Sequence, residues 1–349
     1  MKAEWYFLVV VIVAVLACPG NALSAANKPA SVAELALYKG PDRQRILEEG
    51  AKREGKLTFY TTHVANAPLV AAFQKKYPFL KVEVWRADTN VIASRVIEEN
   101  KMARNGADAI EGTQMVNQTL QKLGLVQSYY SPHIAVIEED AITRAPDGNA
   151  FSVSFREGYI GLGYNTKLIP KGQIPKTYED LLDPKWKGIM PIAGSSTGSD
   201  WMGTMLTVKG EDFVKRVAAQ DFKIHMVSAR AILDMIINGE YRFSPTIYES
   251  HIIDSKKKGA PVDWIPIEPV HVNSGQIALS RNAPNPHAAL LLIDFELSKE
   301  AAEMNKATGF TSARKDMPDE ATYKKFYGIR SVEEGRQWTN LFNQLFLKR

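Results

Sequence analysis

The chain is 349 residues long, 45% hydrophobic and 23% charged, with a formal net charge of +4. That length exceeds one ordinary domain, and the composition is that of a soluble globular protein with a sizeable core, so two lobes are expected. So small a positive excess carries no signature of nucleic-acid binding, and the single cysteine, Cys18, excludes a disulfide framework and a cysteine metal site.

Lys2 precedes an unbroken apolar run over 7–17, followed by the breakers Pro19 and Gly20 and the small residues Ala22, Ser24, Ala25 and Ala26. This is the layout of a secretory signal peptide over residues 1–26, with the mature chain beginning between Ala25 and Asn27. The run is shorter than the ~20 apolar residues that a membrane span needs. Cys18 opens a second route, because Val15, Leu16, Ala17 and Cys18 look like a lipoprotein cleavage box that would leave a lipid anchor on Cys18. Either way the protein is expected to be exported.

After a polar stretch at 27–33, residues 57–60 read as a first strand, followed by the polar turn Thr61, Thr62 and His63. Asn66 caps a helix with Pro68 in its first turn and Leu69, Phe73 and Tyr77 on one face. Residues 81–85 alternate as a second strand. A helix through Ile92, Val96 and Ile97 ends near Gly106, 107–110 form a third strand, and Val116, Leu120 and Leu123 line a helix closed by Gly124. Tyr129 and Tyr130 read as a core or interface pair. Such repeated alternation of strand and helix implies an α/β fold with a parallel-rich sheet.

Tyr159, Ile160, Leu162 and Tyr164 interleave with glycines, as a strand does where another backbone passes close by. Pro175 and Thr177 open a helix over 178–182 that Pro184 ends. The alternation then resumes: a strand at 188–192, a small-residue loop at 194–199, helices at 201–208 and 212–219, a strand at 224–227, and a helix at 230–238 closed by Gly239. An extended segment at 241–248, a return crossing over 262–279 broken by Pro266 and Pro269, an amphipathic helix at 287–297 and further helices complete the chain.

The crossover strand ending in Tyr164 and Asn165, with Asp183, Pro184, Lys185, Trp186, Lys187 and Gly188 behind it, resembles the extracellular solute-binding proteins of ABC importers, in their ferric-ion-type branch. Further stretches carry the likeness: TFYTTH, FQKKYPFLKVEVWR, GADAIEGT, INGEY and NPHAALLLIDFELSKEAAE. The resemblance implies a two-lobed fold of the periplasmic binding protein type II, each lobe a mixed sheet flanked by helices, joined by a hinge of two or three strands. The first lobe would comprise 35–160 with 270–300 and the second 161–269, with C-terminal helices over 301–349 packing on the lobes. It also implies a periplasmic location, a monomer, a small-molecule ligand, a membrane permease as partner, and no enzymatic activity or cofactor.

In such a fold the ligand meets loops at the carboxyl ends of strands and the amino termini of helices, where free N–H groups favour anionic or polar groups. The candidates are Thr61, Thr62 and His63; Glu111 and Thr113; Ser195, Ser196 and Thr197; Ser228 and Arg230; and Tyr248. The hydroxyls could instead cap their own helices, and Arg230 could be a solvated surface residue. Iron(III) prefers oxygen donors with some imidazole. The ferric-ion-binding relatives use two adjacent tyrosines in the second lobe, whereas here Ile247 stands where the first would be. His63 and Tyr248 remain the possible metal ligands. Gly194, Ser196 and Gly198 also match G-x-S-x-G, so a serine hydrolase using Ser196 is the rival class, with Asp221, Asp234, Asp254 or Asp263 and His271 or His287 following in chain order.

Overall fold

The computed structural model describes residues 29–87, 89–317, 323–328 and 332–347. The expected signal peptide, its cleavage point and Cys18 lie outside the described residues. In chain order, α1 (Val32–Leu37) and α2 (Arg43–Glu54) lead into β1 (Lys56–Thr61), α3 (Ala67–Lys76), β2 (Lys81–Arg86), α4 (Thr89–Lys101), β3 (Ala109–Thr113) and α5 (Gln114–Lys122). Two short strands, β4 (Val126–Gln127) and β5 (Ile142–Arg144), precede the long β6 (Ala150–Asn165). The second half runs β7 (Pro191–Ala193), α6 (Ser196–Lys209), α7 (Glu211–Ala218), β8 (Lys223–His225), α8 (Ala229–Ile237), β9 (Phe243–Tyr248), α9 (Glu249–Lys257), β10 (Val262–Ile265) and β11 (Val270–Ser280). It ends with α10 (Pro286–Glu296), α11 (Lys299–Ala307), β12 (Lys325–Tyr327) and α12 (Val332–Phe342).

In the first lobe β1 lies between β2 and β3, parallel to both, and β3 pairs antiparallel with β11. In the second lobe β6 pairs antiparallel with β9 and β10, while β7 and β8 form a separate parallel pair. The two halves are joined because β6 and β11 each run through both, hydrogen-bonded to one another. These two continuous strands are the hinge. Gly161 and Gly163 sit where the second-lobe strands cross β6. A Cβ on Gly161 would lie 2.8 Å from the backbone oxygen of Ile265, and one on Gly163 would lie 2.8 Å from Ile247 Cβ.

Each lobe has its own core. The first collects Leu47, Leu57, Phe73, Phe155 and Leu279 around α10. The second gathers Leu162, Trp186, Trp201 and Phe243, sealed by Trp338 and Phe342 from α12. The helix at 287–297 was expected to be amphipathic, yet every residue from Ala288 to Glu296 is buried, because α2 and the sheet enclose it. Leu123 is 54% exposed rather than lining α5, since the helix ends one residue before it. The expected helix at 178–182 is one tight 3-10 turn, Glu179–Leu182. α4 ends at Lys101, short of Gly106, and Asn66 does not cap α3 but donates its amide to the His63 carbonyl.

Replacing Gly163 with alanine should force a shift of Ile247 or of β9, at a cost of about 1–3 kcal/mol. A thermal melt lowered by several degrees, against little change for Gly172→Ala on the open surface, checks this.

Candidate functional site

The carboxyl ends of β1 and β2 in the first lobe face those of β7, β8 and β9 in the second across a cavity of about 550 Å³. The first lobe contributes Thr62, Arg86 and Thr89. From the second come Ser195, Ser196 and Thr197 at the start of α6, Ser228 and Ala229 at the start of α8, and Tyr248 with His251 beneath. Three helix amino termini therefore point at one space. At α6 the N-cap Ser195 makes no side-chain capping bond, whereas at α8 Ser228 Oγ accepts the Ala231 N–H at 3.3 Å. Of the residues expected from sequence, Thr62, Ser195, Ser196, Thr197, Ser228 and Tyr248 come together here.

The others lie outside this cavity, Thr113 in the wall of a smaller compartment beside it. Glu111 and Thr113 were placed in a loop after the third strand but belong to β3 itself. Glu111 is fully buried and holds the β1 turn from beneath. It accepts from Thr61 Oγ1 at 2.7 Å, from the backbone N–H of Thr62 at 2.6 Å and of His63 at 3.1 Å, and from Arg156 Nη2 at 2.6 Å. Thr61 is thus committed inward. His63 is 1% exposed, set edge-on to Phe155 and Phe310, and burial followed by the Arg156 charge holds its pKa well below the usual histidine value. Arg230 does not line the cavity. It pairs with Asp234 at 3.2 Å and Asp254 at 3.3 Å on the outer side of α8 and α9.

Sequence reasoning missed Arg86, Thr89, His251 and Arg156. Arg86 ends the parallel strand β2, so the rule that selected the turn after β1 also selects it. Arg156 lies inside β6 and carries no local signal of its partnership with Glu111.

Burial pushes the Tyr248 hydroxyl up to about 12, and it accepts from Asn273 Nδ2 at 3.1 Å. His251 is pushed down to about 4 by burial, then by Arg230. Ile247 is fully buried in β9. Among the described residues no group of three or more His, Cys, Asp or Glu side chains could hold a metal ion.

A smaller compartment of about 70 Å³ adjoins the cavity, sharing Thr89 and Ser196 with it. Asp200, His271 and Ser274 line it. Burial pushes the Asp200 carboxyl up to about 7 and the His271 imidazole down to about 4. This does not make Ser196 a nucleophile. His271 Nδ1 is bonded to Thr204 Oγ1 at 2.9 Å, and no hydrogen bond joins Ser196 to His271. Asp234 and Asp254 serve Arg230, Asp263 pairs with Lys256, and His287 is held by Glu54, so the hydrolase relay expected as the rival is not assembled.

Two α/β lobes joined by two continuous strands, with a polar cleft between them, are the architecture of a solute-binding protein. Residues 68–327 match the model of the bacterial extracellular solute-binding proteins, and the chain belongs to that family. A protein of Haemophilus influenzae, described only as uncharacterized, is 27% identical over 271 residues, which make up 73% of this chain and 76% of that one. Iron-bound HitA from Pseudomonas aeruginosa is similar with a TM-score of 0.70 at 20% identity, covering 83% of this chain and 99% of its own. AfuA from Actinobacillus pleuropneumoniae, with fructose-6-phosphate bound, has a TM-score of 0.70 at 22% identity, covering 85% of this chain and all of its own. These structures establish the type II periplasmic binding protein fold.

The buried titratable groups set a pH dependence. Burial, reinforced by the Glu111 charge, raises Glu296 to about 8, and Asp200 stands at about 7, so the folded state keeps protons that the unfolded chain has released. Stability from these groups is therefore full below the unfolded carboxyl range and lost as pH rises through 7 and 8. The depressed histidines His251 and His271 act oppositely, but only below the unfolded histidine value near 6.5. Between about pH 6.5 and 8 the carboxyl effect should dominate, with roughly 1.5 kcal/mol belonging to Glu296. Glu296→Gln should flatten the decline in melting temperature over that range.

Removing the charge from Glu111 should be more damaging. Glu111→Gln leaves Arg156 buried without its counter-ion, a change expected to cost about 3–5 kcal/mol. A drop in melting temperature far exceeding that of the surface variant Glu139→Gln, whose ion pair with Arg144 is exposed, checks the assignment.

Proposed function

We propose that the protein is the exported receptor of an ABC importer, closing its lobes on a small organic anion and presenting the closed form to the membrane permease. The observation that carries this reading is the cavity wall. Arg86 and the amino termini of α4, α6 and α8 converge on it, and no carboxylate stands among its described lining residues. Helix-start N–H groups and the positive ends of three helices favour negative charge, and the Arg86 guanidinium adds a positive charge beside them for phosphate or carboxylate. A volume of about 550 Å³ suits a metabolite rather than a bare ion.

HitA carries iron and AfuA a sugar phosphate. The wall of this cavity favours the second chemistry. Iron(III) needs several anionic oxygens, and here one protonated phenol, Tyr248, and one imidazole, His251, face the space. The apolar segment at 7–17 supports export, with cleavage before Asn27 or, as the alternative, a lipid on Cys18. No helix among the described residues is long and apolar enough to cross a membrane. A monomeric receptor that performs no chemistry on its ligand fits this role.

Calorimetry with a panel of small phosphorylated and carboxylated metabolites tests the reading. Arg86→Ala should weaken the best ligand about ten- to a hundredfold, while Arg230→Ala should leave it unchanged. Equal losses in both variants would remove the special role of Arg86. A visible phenolate colour on ferric loading, lost in Tyr248→Phe, would favour iron instead.

A further inference from the structure

The compartment of about 70 Å³ beside the main cavity sets Asp200 and His271 in one wall, with the polar side chains of Thr113, Gln114, Asn273 and Ser274 around them. The Asp200 side chain is 13% exposed and its carboxylate receives no hydrogen bond from any described residue. His271 is 4% exposed, and its tautomer follows from its partners. Thr204 gives its hydroxyl hydrogen to the Asp200 carbonyl at 3.0 Å, so its oxygen accepts at 2.9 Å from His271 Nδ1–H. Nε2 must then carry a lone pair, and it lies 4.0 Å from Asp200 Oδ2. Ser274, 5% exposed, adds a hydroxyl oxygen with no partner among the described residues, and no lysine or arginine stands among the described residues that line the compartment.

We propose that this compartment is an ammonium subsite, in which Asp200 and His271 Nε2 accept hydrogens from a primary amine at the far end of the ligand. The assignment rests on the anionic reading of the main cavity for the other end, and makes the ligand a zwitterion. A nitrogen at a charge-assisted hydrogen-bond distance of about 2.8 Å from each acceptor spans their 4.0 Å separation at an angle of roughly 90°, so a small widening of the pair brings it to the tetrahedral angle of an ammonium. An ammonium has three hydrogens, enough for Asp200, His271 and Ser274 together. A hydroxyl has one and can serve only one of them. The Asp200 carboxylate is largely withdrawn from water, and a bound ammonium offsets that loss of solvation.

Calorimetry on the mature chain with ω-aminoalkyl phosphates of about two to six carbons, each beside its n-alkyl and ω-hydroxyalkyl partners, tests this. At the fitting length the amine should tighten Kd about ten- to a hundredfold over the alkyl compound and more than the hydroxyl does. Asp200→Asn should abolish that gain, and Thr204→Val, which frees the His271 tautomer, should reduce it. Equal affinity of the amino and alkyl members overturns the ammonium subsite while leaving the anion site intact, and a hydroxyl gain equal to the amine's overturns the choice of ammonium. If no phosphate binds, the anionic reading fails by itself, and ethylammonium alone then decides the subsite. Thermal protection of the wild type but not of Asp200→Asn supports it, and no protection of the wild type overturns it.

Discussion

The buried pair of Glu111 and Arg156 is the constraint on which the first-lobe wall of the cleft depends. Its 2.6 Å contact joins the middle of β3 to the middle of β6, and the same carboxylate gathers the turn after β1 through two backbone amides and two hydroxyls. Taking both charges out of water is expensive, and the arrangement persists because nearly every lone pair on Glu111 is answered. The consequence for binding is direct. The amides of Thr62 and His63, which would otherwise be open to a ligand, are spent on Glu111, so what the first lobe presents to the cavity is Arg86, Thr89 and Thr62.

The same pair conditions its surroundings. Glu296, the last residue of the enclosed helix α10, lies near enough to Glu111 that their charges oppose each other, which adds to the effect of burial in keeping Glu296 protonated. His63 stays neutral beneath Arg156. The first lobe is thereby tied around a polar centre, and β6 and β11 are the strands that continue from it into the other lobe. At the back, α12 packs on α6 and reaches the first lobe through the exposed pair of Lys122 and Glu333 at 2.7 Å. An exposed pair of this kind contributes little to stability and so can open and close with the hinge.

Much of this was legible in the sequence where the signal is local. Glycines at alternate positions of the crossover strand announced the close passage of β9 and β10, and strand ends followed by hydroxyl residues marked the walls of the cleft. What was not legible depends on pairs distant in the chain. Glu111 looked like a cleft residue because it ends an apolar run, and only Arg156, brought to it by the pairing of β6 with β11 and of β11 with β3, turns it inward. Arg230 is a different case. Asp234 stands four residues further along the same helix, the spacing of a surface ion pair, and that local signal outweighs its position near a helix start. The acceptor pair of Asp200 and His271 combines a helix of the second lobe with a hinge strand, and no pattern in either segment foretells it.

Native mass spectrometry of the protein purified from the cells that export it tests the central claim most directly. Recognition by Arg86 and three helix amino termini predicts one organic anion per chain, released on denaturation and absent from Arg86→Ala prepared in parallel. A mass increment of iron alone, retained in Arg86→Ala, would contradict the account.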